Sequence, residues 1–252
     1  MRSESLIFLG AHEGQVADPV IEAQGRQPGD GPVRRRAQWH GAFSRHCSDP
    51  ARGGVDTFVR TMVDRLATAG YAAVAPDLYH RLAPGVERTI RQLQDLEIIA
   101  DVQATVDFLQ HHQAIERESL GIIGFCMGGR VTYLMAAALP QFKAAVAYYG
   151  GNIMVPWGDG VVAPFARTSE LHCPLLFHFG EEDTNPSFED MRQLDAALTR
   201  AHKEHVFYTY PNAGHAFMDF TNAQRHREAA ATASWPRTLD FFARHLRGVH
   251  VA

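Results

Sequence analysis

The chain has 252 residues, 46% of them hydrophobic and 21% charged, the make-up of one large globular domain, able to bury roughly 70–75% of its unfolded surface. A formal net charge of −4 gives no electrostatic reason to expect nucleic acid or an acidic membrane as a partner. The three cysteines, Cys47, Cys126 and Cys173, are too few and too scattered for a disulfide framework or a zinc knuckle, so a reducing cytoplasm is the expected setting.

At the start, Leu6 to Leu9 is apolar but far shorter than the core of a secretory signal, and no stretch approaches the ~20 apolar residues of a membrane span. Between Gly10 and Gly53 there is no clean alternation and no sustained apolar run; the stretch is rich in Arg, Gly, Gln, Pro and His, including Arg34, Arg35 and Arg36. Residues 1–53 therefore read as an atypical N-terminal segment, either irregular and solvated or translated out of frame. The second reading rests on a chain with 22 Arg and two Lys, Lys143 and Lys203, a bias expected of GC-rich coding.

From residue 54 to 252 helical and strand patterns alternate. Phe58, Met62, Leu66 and Ala69 recur at helical spacing, and Gly70 can stop that helix. Tyr71 to Ala75 reads as a buried strand closed by Pro76. Ile99, Val102, Val106 and Leu109 mark one face of a long helix. A strand over 120–125, a helix over 129–139, and strands over 144–149 and 175–179 follow. Met191, Leu194 and Leu198 share a helix face, 205–210 is strand-like, and a last helix spans 235–246. Strands separated by helices predict an α/β domain with a mostly parallel, doubly wound sheet and helices on both faces.

Gly124-Phe125-Cys126-Met127-Gly128-Gly129 follows an apolar strand and opens a helix, the context of a nucleophile elbow. Small residues two before and two after the central one are needed where strand and helix cross tightly, and Gly124 and Gly128 supply them. A cysteine at a helix N-terminus is favoured as thiolate by the backbone dipole. Taken alone, the pattern also fits a small buried cysteine in a glycine-rich turn of nucleotide-binding type. Cys47 and Cys173 have no such setting and read as structural.

In this architecture an acid and then a histidine follow the nucleophile, each on a loop after a strand. Asp183 follows one strand within Gly180-Glu181-Glu182-Asp183, and His215 follows the next within Pro211-Asn212-Ala213-Gly214-His215. Glu181 and Glu182 compete with Asp183 for the acid position. His111, His112, His178, His202 and His226 read as surface or core residues. In the functional reading His215 takes the thiol proton, or holds it in an ion pair, while Asp183 fixes the imidazole tautomer.

From Gly54 onward the chain resembles the dienelactone hydrolase (carboxymethylenebutenolidase) family of α/β-hydrolases. The resemblance rests on Ala75-Pro76-Asp77-Leu78-Tyr79, the elbow around Cys126, Tyr148-Tyr149-Gly150, Gly180 to Asp183 with Pro186, and Gly214-His215-Ala216-Phe217. Cysteine at the elbow is itself characteristic of that family. The resemblance implies hydrolysis of a small-molecule ester or lactone through a thioester on Cys126, with the backbone N–H of Met127 holding the oxyanion and no metal or organic cofactor. It also implies that Arg81 binds a substrate carboxylate; Tyr79 and Tyr149 are candidate pocket residues. Two positions depart from the pattern: Ala51 stands where the family has a glutamate near the resting thiol, and Asp219 stands where it has a second substrate-binding arginine. A catalytically silent domain that binds a ligand or partner is the alternative reading; a papain-like peptidase is disfavoured, because there the cysteine comes near the start and the triad ends in Asn. The sequence carries no signal of oligomeric state.

Overall fold

A computed structural model describes residues 5–12, 20–21, 56–83, 85–111, 115–158 and 162–247. Strands β1 (Ser5–His12), β2 (Val20–Ile21), β3 (Tyr71–Val74), β4 (Ile115–Phe125), β5 (Phe142–Tyr148), β6 (Leu175–Gly180) and β7 (His205–Tyr210) form one sheet in the order β2-β3-β1-β4-β5-β6-β7. The run from β4 to β7 is parallel, as is β2 with β3, while β1 is antiparallel to both of its neighbours. This is the expected mostly parallel α/β sheet.

Helices α1 (Thr57–Thr68), α2 (Asp95–His111), α3 (Met127–Ala138), α4 (Phe188–Arg200) and α5 (Glu228–Leu246) cover it. Side-chain alternation along the strands divides the core into two layers. Ala72, Val74, Leu120, Ile122, Ala145, Ala147 and Phe177 pack with α2, α3 and α4. Tyr71, Ala73, Ile123, Phe125, Val146, Tyr148 and Leu176 pack with α1 and α5 on the other face. Helix α1 begins at Asp56, whose carboxylate accepts the Val59 N–H at 2.9 Å, and ends before Gly70 at φ 82°. No helix among the described residues is long and apolar enough to cross a membrane.

The structure corrects the sequence reading in two places. Strand β1 lies inside the sheet, with Phe8 opposite Val74 on one side and Ile122 on the other, so residues 5–12 do join the domain that was expected to begin at 54. A short apolar run with no helical pattern after it gives no βαβ signature, and an antiparallel insertion needs none. Helix α5 starts at Glu228 rather than 235, so Pro236 lies inside it. Proline is favoured in a first helical turn, yet buried Ala230, Ala231 and Ser234 carry the helix back a further two turns.

Because β4, β6 and β7 run parallel, the loops that follow them emerge at the same sheet edge. At that edge β6 ends on Gly180, where a Cβ would lie 2.1 Å from the Ala213 carbonyl oxygen. The loop after β7 crosses here against bare backbone. Gly180→Ala is therefore expected to lower stability by about 1–3 kcal/mol, read as a shift in the urea midpoint; an unshifted midpoint would show that the crossing yields without cost.

Candidate active site

Strand β4 passes into α3 through Cys126, which adopts φ 55° and ψ −117° and is the N-cap residue of that helix. A side chain rarely holds such a conformation without support from its surroundings. The Cys126 N–H donates to the Tyr148 carbonyl at 3.1 Å, and the Cys126 carbonyl accepts from Gly129 at 3.0 Å and Arg130 at 3.3 Å. A Cβ on Gly124 would meet the Gly128 carbonyl oxygen at 2.0 Å, so strand and helix cross at a distance only glycine permits. The sulfur is thereby set at the end of the sheet, 7% of the residue remaining exposed.

His215 comes from the loop after β7. Its Nε2 lies 2.9 Å from Cys126 Sγ, and its Nδ1 lies 3.0 Å from Asp183 Oδ2. The other Asp183 oxygen accepts the Asn185 N–H at 2.9 Å, which fixes the carboxylate in the loop after β6. Glu181 and Glu182 are exposed, and the carboxylate on the imidazole is that of Asp183. Burial pulls the His215 imidazole down, but hydrogen bonds to Asp183 and Cys126, together with their charges, outweigh it and push the ring up to about 10.

The other candidates have different surroundings. Burial pushes the Cys173 thiol up to about 12, so that group stays protonated. Cys47 and Ala51 lie outside the described residues. His178 is fully buried between Tyr210 and Thr238, and burial holds it well below the ordinary histidine range. His111 bonds the Asp107 carbonyl and His226 pairs with Glu228. Both have the local partners expected of structural histidines.

A cleft of about 370 Å³ opens over the sulfur, lined by Cys126, Met127, Asp183 and His215 and, from other loops, by Ile90, Asn152, Trp157 and Arg225 among others. Arg81, Tyr79 and Tyr149 are not among the lining residues. The Arg81 guanidinium is forked onto Asp101 of α2, a tertiary partner that no local pattern reveals. Tyr79 is buried, with the Arg88 guanidinium 5.7 Å from its ring. Tyr149 is wholly buried, its ring packed edge-on against His215 at 5.3 Å. Asp219 is also buried, and its carboxylate is taken by the N–H and hydroxyl of Thr221. Of the cleft residues the sequence did not mark, Arg225 and Trp157 sit in irregular segments with no periodicity to single them out.

Residues 50–246 match the family model described as the dienelactone hydrolase family. The chain is 33% identical over 202 residues to the carboxymethylenebutenolidase of Rhodococcus opacus, covering 77% of this chain and 78% of that one. A Synechocystis sp. protein provisionally assigned the same name is 35% identical over 207 residues, covering 77% and 83%. Among solved structures, a Klebsiella pneumoniae protein provisionally assigned as a dienelactone hydrolase has 29% identity and a TM-score of 0.68, covering 76% of this chain and 82% of that one. A dienelactone hydrolase-like promiscuous phosphotriesterase from metagenomic libraries shares the fold at 19% identity and a TM-score of 0.63, with coverage of 76% and 82%. With its doubly wound sheet, its cysteine at the strand–helix crossing and these relatives, the chain belongs to the dienelactone hydrolase family.

Proposed function

We propose that the protein hydrolyses carboxylic esters or lactones of small-molecule size, with Cys126 as nucleophile, His215 as its proton partner and Asp183 as the orienting acid. The observation that carries this reading is the continuous pair of contacts, 2.9 Å from sulfur to imidazole and 3.0 Å from imidazole to carboxylate. Three groups far apart in the chain, at the ends of three strands, meet in the order that proton transfer needs. A cytoplasmic setting is part of the same reading, since the nucleophile must remain a free thiol.

In the first half-reaction the Cys126 thiolate attacks the carbonyl carbon, and the negative charge gathers on the carbonyl oxygen. Met127 is the first residue of α3, so its N–H has no acceptor within the helix and is free to hold that oxygen. Collapse of the tetrahedral intermediate expels the alcohol or enol, which takes a proton from the His215 imidazolium, and leaves a thioester on Cys126. In the second half-reaction His215 draws a proton from water as that water attacks the thioester, and the thiolate departs with the acid product. For a lactone, the alcohol and the acid are two ends of one molecule. Asp183 keeps Nδ1 protonated throughout, so that Nε2 is the atom that exchanges the proton.

A His215 ring pushed up to about 10 loses its proton only as the pH rises through that value. Below it, the ring is a cation beside the sulfur and favours the thiolate. Iodoacetamide should therefore alkylate Cys126 at pH 6.5 roughly tenfold or more faster than Cys173. Equal rates at the two cysteines would mean an ordinary thiol without an ion pair. His215→Asn is expected to slow alkylation at pH 6.5 by roughly tenfold or more.

Turnover of p-nitrophenyl acetate tests the assignment of roles. Cys126→Ala should abolish it, and Asp183→Asn should lower kcat by roughly 10²–10⁴-fold with the fold intact by circular dichroism. Wild-type protein with no turnover and a Cys126 no more reactive than Cys173 would instead favour a silent binding domain.

A further inference from the structure

Arg130 stands four residues after Cys126, in a helix with no other charged residue, and its side chain is wholly buried. A guanidinium in such a place must have every donor engaged or well stacked. Nη1 and Nη2 donate to the two Asp95 oxygens at 2.6 and 3.0 Å, Nε donates to the Asn152 carbonyl at 3.0 Å, and Nη2 also reaches the Val155 carbonyl at 2.6 Å. The guanidinium carbon lies 3.8 Å from the centroid of the Trp157 ring. Asp95 completes the set: it accepts the Trp157 N–H at 2.9 Å, and its own N–H donates to the Trp157 carbonyl at 2.9 Å.

Arg130 and Asp95 thus hold the segment 152–157 through four of its backbone groups in addition to the indole ring. That segment has no helix or strand of its own beyond turns, yet it supplies Asn152 and Trp157 to the cleft. Guanidinium covers one side of the indole, and Ile90 and Met127 add apolar lining to the same cleft. Met127 adjoins the cysteine, so this lining begins beside the sulfur to which an acyl group would be bonded.

We infer that the Arg130–Asp95 pair is a clamp that fixes Trp157 as a rigid apolar wall, and that this wall selects esters with a flat, unsaturated or aromatic acyl group over short alkyl ones. The inference rests on the proposed Cys126 hydrolysis and adds a specificity residue, Trp157, and a positioning residue, Arg130. An indole immobilised from behind loses little freedom when a planar group packs on it. The unclamped ring would have to be ordered by each substrate.

The test compares p-nitrophenyl benzoate with p-nitrophenyl acetate, which share a leaving group and differ in the acyl group. Trp157→Leu removes the wall and leaves the ion pair. Arg130→Lys keeps the charge but loses the fork and the stacking plane, and the double variant Arg130→Met with Asp95→Leu removes the clamp without leaving a lone buried charge should the lysine variant fail to fold. Each variant is expected to raise KM for the benzoate by roughly tenfold relative to the acetate. Alkylation of Cys126 by iodoacetamide should stay within about twofold of wild type, showing the elbow unharmed. Equal effects on both esters, a wild-type preference in the clamp variants, or loss of Cys126 alkylation in them would each overturn the inference. A wild-type protein that turns over neither ester would instead sink the hydrolase reading on which it rests.

Discussion

The site depends on the crossing of β4 and α3 at Cys126. A backbone at φ 55° is sustained by the Tyr148 carbonyl on one side and the first turn of α3 on the other, and it exists only because Gly124 lets the helix come within contact of the strand. That geometry sets the sulfur above the sheet edge at a helix N-terminus, where an imidazole can reach it. The strain is of the order of 1–3 kcal/mol, small beside the packing of the two layers that over-determine it.

The rest of the fold aims other loops at this point. Parallel strands deliver Asp183 and His215 to one edge, and Gly180 lets their two loops touch. Tyr149 packs edge-on against the imidazole, while the buried Tyr148–Thr238–His178–Tyr210 chain ties β5, β6, β7 and α5 together. Across the cleft, Arg130 and Asp95 do the corresponding work for the segment that carries Trp157.

The elements most legible in the sequence were those with amphipathic periodicity. Met191, Leu194 and Leu198 all face the core from α4, as do Phe58, Met62 and Leu66 from α1. The three chemical groups were legible for a different reason: the elbow has steric requirements that few sequences meet, and the chain order of acid and histidine follows from the direction of the strands. What was not legible depended on partners distant in sequence. β1 gives no local sign that it will be inserted antiparallel between β3 and β4. Arg81 looks like a free loop cation until Asp101 is brought beside it. Arg130 carries a signal of a different kind, since one arginine in the otherwise uncharged 127–138 helix must be paired if the helix is central.

The central claim is that an acyl group passes through the sulfur of residue 126. Mixing the protein with excess p-nitrophenyl acetate, quenching in acid within the first turnovers and mapping the digest by mass spectrometry tests it directly. The account predicts an acetyl group on the peptide containing Cys126, absent from the Cys173 peptide and removed by brief treatment with neutral hydroxylamine. Product release with the Cys126 peptide unmodified at every quench time, or acetyl found only on another side chain, would contradict it.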